Sequence, residues 1–167
     1  AIDDYDRALE IDPGYVDAYY GRARSYLNMG NYEQALDDYE QVIILRPDAS
    51  YGYSGRGTVY YQLGNYELAL ADYNKCIELE PDEGWNYANR AYLYFDLENY
   101  KSAIQDLTFA IAQYPTNADY YWSRGNAYYA LQEYDLAVQD YLKYGELNGS
   151  LEPFMEQRII LHPDNET

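Results

Sequence analysis

Cysteine and histidine occur once each in this chain of 167 residues, as Cys76 and His162. A lone cysteine cannot close an internal disulfide, and neither it nor any serine has a base placed beside it by a recognisable catalytic motif. Basic residues are scarce as well, 11 against 29 acidic ones, for a formal net charge of −18. Such a balance keeps a protein soluble, repels nucleic acid and anionic lipid, and favours a basic or apolar partner over an acidic one. No apolar run approaches the length of a membrane span, and no signal peptide opens the chain. Proline is sparse, with six copies, yet four of them (Pro13, Pro47, Pro81 and Pro115) stand 34 residues apart.

That interval organises everything else. Tyr19, Tyr53, Tyr87 and Tyr121 keep it, as do Tyr26, Tyr60, Tyr94 and Tyr128, and Tyr32, Tyr66, Tyr100 and Tyr134. Alanine recurs at positions 1, 35, 69, 103 and 137, and a small residue recurs as Ala23, Gly57, Ala91 and Gly125. Fixed-period self-similarity marks a solenoid of stacked units, each too small to bury a core alone. Cys76 takes a place filled elsewhere by Ala8, Val42 and Ala110, and so reads as a small buried residue. Ala1 falls inside a repeat, so the sequence is expected to begin partway through a longer one.

Within residues 16–49, Tyr19, Ala23, Tyr26 and Leu27 fall at helical spacing, and Gly30-Asn31 breaks the pattern. A second helix follows from about Tyr32 to Leu45, with Ala35, Leu36, Tyr39, Val42 and Ile43 on one face. Pro47 closes it, because proline lacks an N–H and forces its predecessor out of the helical region. The spacing therefore predicts an antiparallel helical hairpin whose alanines let the two backbones approach.

The order Tyr53, Arg56, Gly57, Tyr60, then Ala69, Tyr73, then Pro81 resembles the tetratricopeptide repeat signature W-x2-L-G-x2-Y, A-x3-F, P. The resemblance covers residues 1 to about 149. It implies an all-α, right-handed superhelical solenoid of antiparallel hairpins forming a single domain. Four full repeats are expected at 16–49, 50–83, 84–117 and 118–151, preceded by the second helix of another at 1–15. Residues 152–167 are expected to add a C-terminal capping helix and tail. Arginine replaces the signature leucine throughout, Leu107 replaces the aromatic in the third repeat, and Glu98 and Gln132 replace the turn glycines.

Those arginines, Arg22, Arg56, Arg90 and Arg124, use four of eleven basic residues. Asp4, Asp38, Asp72, Asp106 and Asp140 recur on the second helices. A largely buried guanidinium needs a carboxylate, so the two rows are read as a structural ladder of ion pairs. Pairing within a repeat (Arg22–Asp38) and between repeats (Asp4–Arg22) both fit the spacing.

Of 25 tyrosines, sixteen belong to repeated ladders that core packing accounts for; the other nine do not. In the family this chain resembles, first helices line a concave inner face. The matching stripe here holds Tyr20 and Arg24, then Tyr51 and Tyr61, then Trp85, Asn89 and Tyr92, then Trp122, Asn126 and Tyr129. Rigid rings with interleaved amides suit an extended peptide or an amphipathic helix. No lysine lies on the stripe, which argues against a clamp for a terminal carboxylate. With no catalytic or metal-binding motif and no implied cofactor, the chain reads as a non-catalytic interaction module whose partner is a protein or peptide. Self-association through the open N-terminal half-repeat is an alternative, and carbohydrate stacking on the aromatic stripe is another.

Overall fold

The computed structural model describes residues 2–149. Among them are nine α-helices and no strands: α1 (Ile2–Ile11), α2 (Val16–Asn28), α3 (Tyr32–Leu45), α4 (Ser50–Gln62), α5 (Tyr66–Leu79), α6 (Gly84–Asp96), α7 (Tyr100–Gln113), α8 (Ala118–Ala130) and α9 (Tyr134–Asn148). This is an all-α helical repeat fold. The expected capping helix lies outside the described residues. The chain forms two compact units, Ala1–Asp82 and Glu83–Thr167. The first holds α1 and the hairpins α2–α3 and α4–α5; the second holds the hairpins α6–α7 and α8–α9.

Each hairpin turns within three residues. After α2, Gly30 enters the left-handed region at φ 76°, which lets its own N–H reach Leu27 O and the next N–H reach Tyr26 O. Gly64 repeats this at φ 74°. In the second unit the same turn is made by Glu98 (φ 57°) and Gln132 (φ 63°), with the N–H of Asn99 and of Glu133 bonded to Tyr94 O and Tyr128 O. Side chains with a Cβ are disfavoured there by on the order of 1 kcal/mol, so the closing hydrogen bonds hold a conformation these residues would not choose.

The helices of a hairpin meet at the small residues. Ala23, Ala35, Ala69, Ala91 and Ala103 are fully buried, and an added Cβ at Gly125 would lie 2.7 Å from the Tyr141 ring. Between hairpins the rule changes along the chain. In the first unit, the rings of Tyr5 and Tyr39 lie on the bare backbones of Gly21 and Gly55, where a Cβ would come within 2.5 and 2.1 Å. In the second unit, Leu107 stands where those tyrosines do. The facing helix α8 there carries Ser123 in place of glycine and a buried Tyr120 where the first unit has Ala18 and Gly52. Volume removed at one position is restored at its neighbour, as close packing requires.

Candidate functional site

Each ladder arginine forms a two-pronged pair with the aspartate sixteen residues on, inside its own hairpin. Arg56 Nε and Nη2 reach Asp72 at 2.9 and 2.8 Å, and Arg22–Asp38, Arg90–Asp106 and Arg124–Asp140 repeat the geometry. The four aspartates are buried and the arginine side chains about one-fifth exposed. Pairing with Asp38, Asp72 and Asp106 raises the already high guanidinium pKa values of Arg22, Arg56 and Arg90. For Arg124 burial opposes the shift and Asp140 overcomes it. Burial raises the Asp140 carboxyl while Arg124 pulls it down, and the bidentate contact at 2.8 Å makes this an ion pair.

Contact between hairpins uses a different position from the one the spacing suggested. Asp4 is exposed, and the carboxylate that reaches Arg22 from α1 is Asp6, at 2.5 Å. Two residues along a helix turn the side chain by more than half a circle, which brings Asp6 and not Asp4 to face α2. Glu40 does the same for Arg56 at 3.9 Å, and Thr108 accepts from Arg124 at 3.1 Å.

The flanking tyrosines have a role that periodicity alone did not disclose. Residues three before and four after each arginine share its helix face; at Arg56, Arg90 and Arg124 both rings sandwich the guanidinium, while Arg22 lies over Tyr19 at 5.7 Å. Arg56 lies 5.9 and 5.8 Å from the Tyr53 and Tyr60 centroids, Arg90 5.6 Å from both Tyr87 and Tyr94, and Arg124 5.8 and 5.9 Å from Tyr121 and Tyr128. Tyr53 and Tyr121 also donate to the carbonyls of Pro47 and Pro115, tying the stack to the preceding turn. Two of the ladders thus cage cations.

The stripe residues divide by unit. In the first, Tyr20 is half-buried, edge-on to Tyr51 at 5.0 Å and to Tyr39 at 6.1 Å, and the exposed Arg24 lies over it at 5.7 Å. The Tyr51 hydroxyl is buried with no hydrogen-bond partner. Burial pushes the Tyr39 phenol well above its ordinary range. This cluster packs chiefly against itself.

In the second unit Trp85 is 53% exposed. Its backbone is fixed by Glu83, whose carboxylate caps α6 by accepting from Trp85 N–H at 3.1 Å and also accepts from the Tyr114 hydroxyl. That clasp spans 31 residues. Asn89 and Tyr92 follow Trp85 by four and seven residues on the same face, both half-buried. Burial, then the charge of Asp119, raise the Tyr92 phenol, and Ser123 hydrogen-bonds it. Trp122 leans on Tyr144 at 5.4 Å, Asn126 accepts from the Tyr141 hydroxyl at 3.0 Å, and Tyr129 packs edge-on to Tyr134 at 5.2 Å. Trp122, Asn126 and Tyr129 therefore support the α8–α9 hairpin as much as they face outward.

Cys76 is buried, its thiol pushed up to about 12 by burial and its S–H directed at Ser50 O. Among the described residues no group of three or more His, Cys, Asp or Glu side chains could hold a metal ion, and no helix is long and apolar enough to cross a membrane.

This hairpin chemistry belongs to a known class. The tetratricopeptide repeat profile matches residues 20–83 and 89–150, and a second TPR repeat profile matches residues 1–30. The chain belongs to the tetratricopeptide repeat family, whose members generally serve as non-catalytic scaffolds for protein–protein interaction. No curated protein matches it. Among solved structures it is similar to MamA from Desulfovibrio magneticus RS-1 (19% identity, 90% of this chain and 87% of that one, TM-score 0.79). It is likewise similar to pilF of Pseudomonas aeruginosa (20%, 89% and 69%, TM-score 0.81). YrrB, a TPR protein with an unusual peptide-binding site, is similar at 19% identity over 98% of this chain and 95% of that one, TM-score 0.77. At these identities the likeness is one of fold.

Proposed function

We propose that the chain is a non-catalytic module that holds a peptide segment of a partner protein against its first helices, chiefly α6 and α8. The observation that carries this is Trp85: a large ring more than half exposed, on a helix whose first turn is pinned by Glu83 and Tyr114. Single exposed apolar residues are ordinary, but this ring stands in line with an amide and a phenol on one helical face. A rigid aromatic anchor loses little conformational freedom on binding, and such anchors carry most of the energy of an interface. Asn89 supplies an amide suited to a peptide backbone. The peptide-binding site of YrrB supports a similar use of the fold. The test is capture from source-cell lysate with wild type and Trp85→Ala. A partner retained by wild type at moderate salt and lost with Trp85→Ala supports the reading; a partner held equally by both removes it.

A further inference from the structure

Among the described residues α1 is the one second helix with no first helix paired to it in a hairpin. One side of it packs on α2, where Leu9 is buried, the Tyr5 ring lies on Gly21 and Asp6 reaches Arg22. The side that a hairpin mate covers elsewhere is open. Asp38, Tyr39 and Val42 on α3 are buried, as are Asp72, Tyr73 and Cys76 on α5. At the same places on α1, Asp4 is exposed and Tyr5 and Ala8 are only partly buried. A first helix that brings an arginine fits such a face, as Arg22 and Arg56 do inside their own hairpins.

The sequence carries one more segment of that pattern. Arg158 stands 34 residues after Arg124 and extends the arginine row to a fifth member, with Phe154 in the register of the buried Tyr120. Four arginines and four aspartates are matched inside hairpins; the fifth of each, Arg158 and Asp4, stand at opposite ends of the sequence. At about 3.6 residues per turn, Phe154, Met155, Ile159, Ile160 and Leu161 are spread over all sides of a helix. A helix apolar all round requires cover on more than one side, and packing on α9 supplies only one. We propose that residues 152–162 of one copy of this chain supply the first helix that α1 of a second copy takes, with Arg158 set against Asp4. Each junction then repeats in trans the pairing made inside a hairpin, and copies join head to tail. The contact is looser than a hairpin, because Ile159 stands where Ala23, Gly57, Ala91 and Gly125 let the backbones approach. Copies of net charge −18 repel one another, so association belongs at physiological salt, where a Debye length of about 8 Å screens the long-range repulsion more than the close pair. Neither α6 nor Trp85 takes part, so this contact stands or falls apart from the peptide face.

Sedimentation velocity of the whole chain, from micromolar to millimolar concentration at physiological salt, tests this. Wild type should gain mass as concentration rises. Asp4→Arg and Arg158→Asp, each alone, should weaken association at least about tenfold, because each sets like charges together. Both positions lie outside the four hairpins, and matching circular dichroism spectra check that the variants fold as wild type does. Mixing the two variants should restore association, since each then offers the charge that the other needs. A wild type that stays monomeric throughout, association indifferent to both substitutions, or a mixture no better than either variant alone would overturn the pairing.

Discussion

The two units are built from one 34-residue plan and place their irregularities in opposite places. In the first, the turns inside the hairpins use Gly30 and Gly64, while the first helices α2 and α4 begin at Tyr15 and Ala49 with no side-chain cap. In the second, the turns use Glu98 and Gln132 at positive φ, while α6 and α8 are capped by Glu83 and Asn117. Packing follows the same division. Between hairpins, tyrosine rings rest on glycine backbones in the first unit, whereas Leu107, Ser123 and Tyr120 share the volume in the second. The first unit is also the more acidic, with sixteen acidic and six basic residues in 1–82 against thirteen and five in 83–167. Two solutions to one packing problem show that the hairpin interface constrains summed volume and turn geometry more tightly than it constrains individual residues. The Glu83 cap fixes the first turn of α6, where the exposed Trp85 stands.

What both units share should be the most costly to remove. Asp72→Ala and Asp140→Ala each strand a guanidinium caged by two tyrosines, and each should lose roughly 3–5 kcal/mol in urea unfolding. A loss below about half a kcal/mol at either position would class that pair with surface ion pairs. The next effect separates the units. Gly55→Ala drives a Cβ into the buried Tyr39 ring and should cost about 1–3 kcal/mol, outweighing alanine's better helix propensity. Adding Tyr39→Leu, which copies the Leu107 arrangement, should return part of that loss; strict additivity of the two changes would refute the volume exchange. Smallest is the turn comparison. Gln132→Gly should stabilise by about 0.5–1 kcal/mol and Gly64→Ala destabilise by about 1 kcal/mol, both read as shifts in the denaturation midpoint.

Much of the fold was legible because helical repeats write their packing at a fixed period. The hairpins, the small residues at their crossing, and the arginine and aspartate rows all follow from the 34-residue interval. Other features depend on rotation and side-chain reach, which a period does not encode. Asp6 rather than Asp4 meets Arg22 because of angular position, and the tyrosine sandwiches depend on rotamer. Glu83, Trp85 and Tyr114 meet across a hairpin, so no local pattern announces their clasp. For the candidate face, composition singled out Trp85 and Trp122 alike. The structure separates them: Trp85 is open, whereas Trp122 rests on Tyr144.

The most direct measurement is site-specific photo-crosslinking to the captured partner. A photoreactive amino acid is placed at position 85 on α6 or, as control, at the exposed position 105 on α7. Adducts from position 85 and none from position 105 are predicted if the partner lies along the first helices. Adducts from position 105 alone would put the partner on the second helices and contradict the proposed contact face.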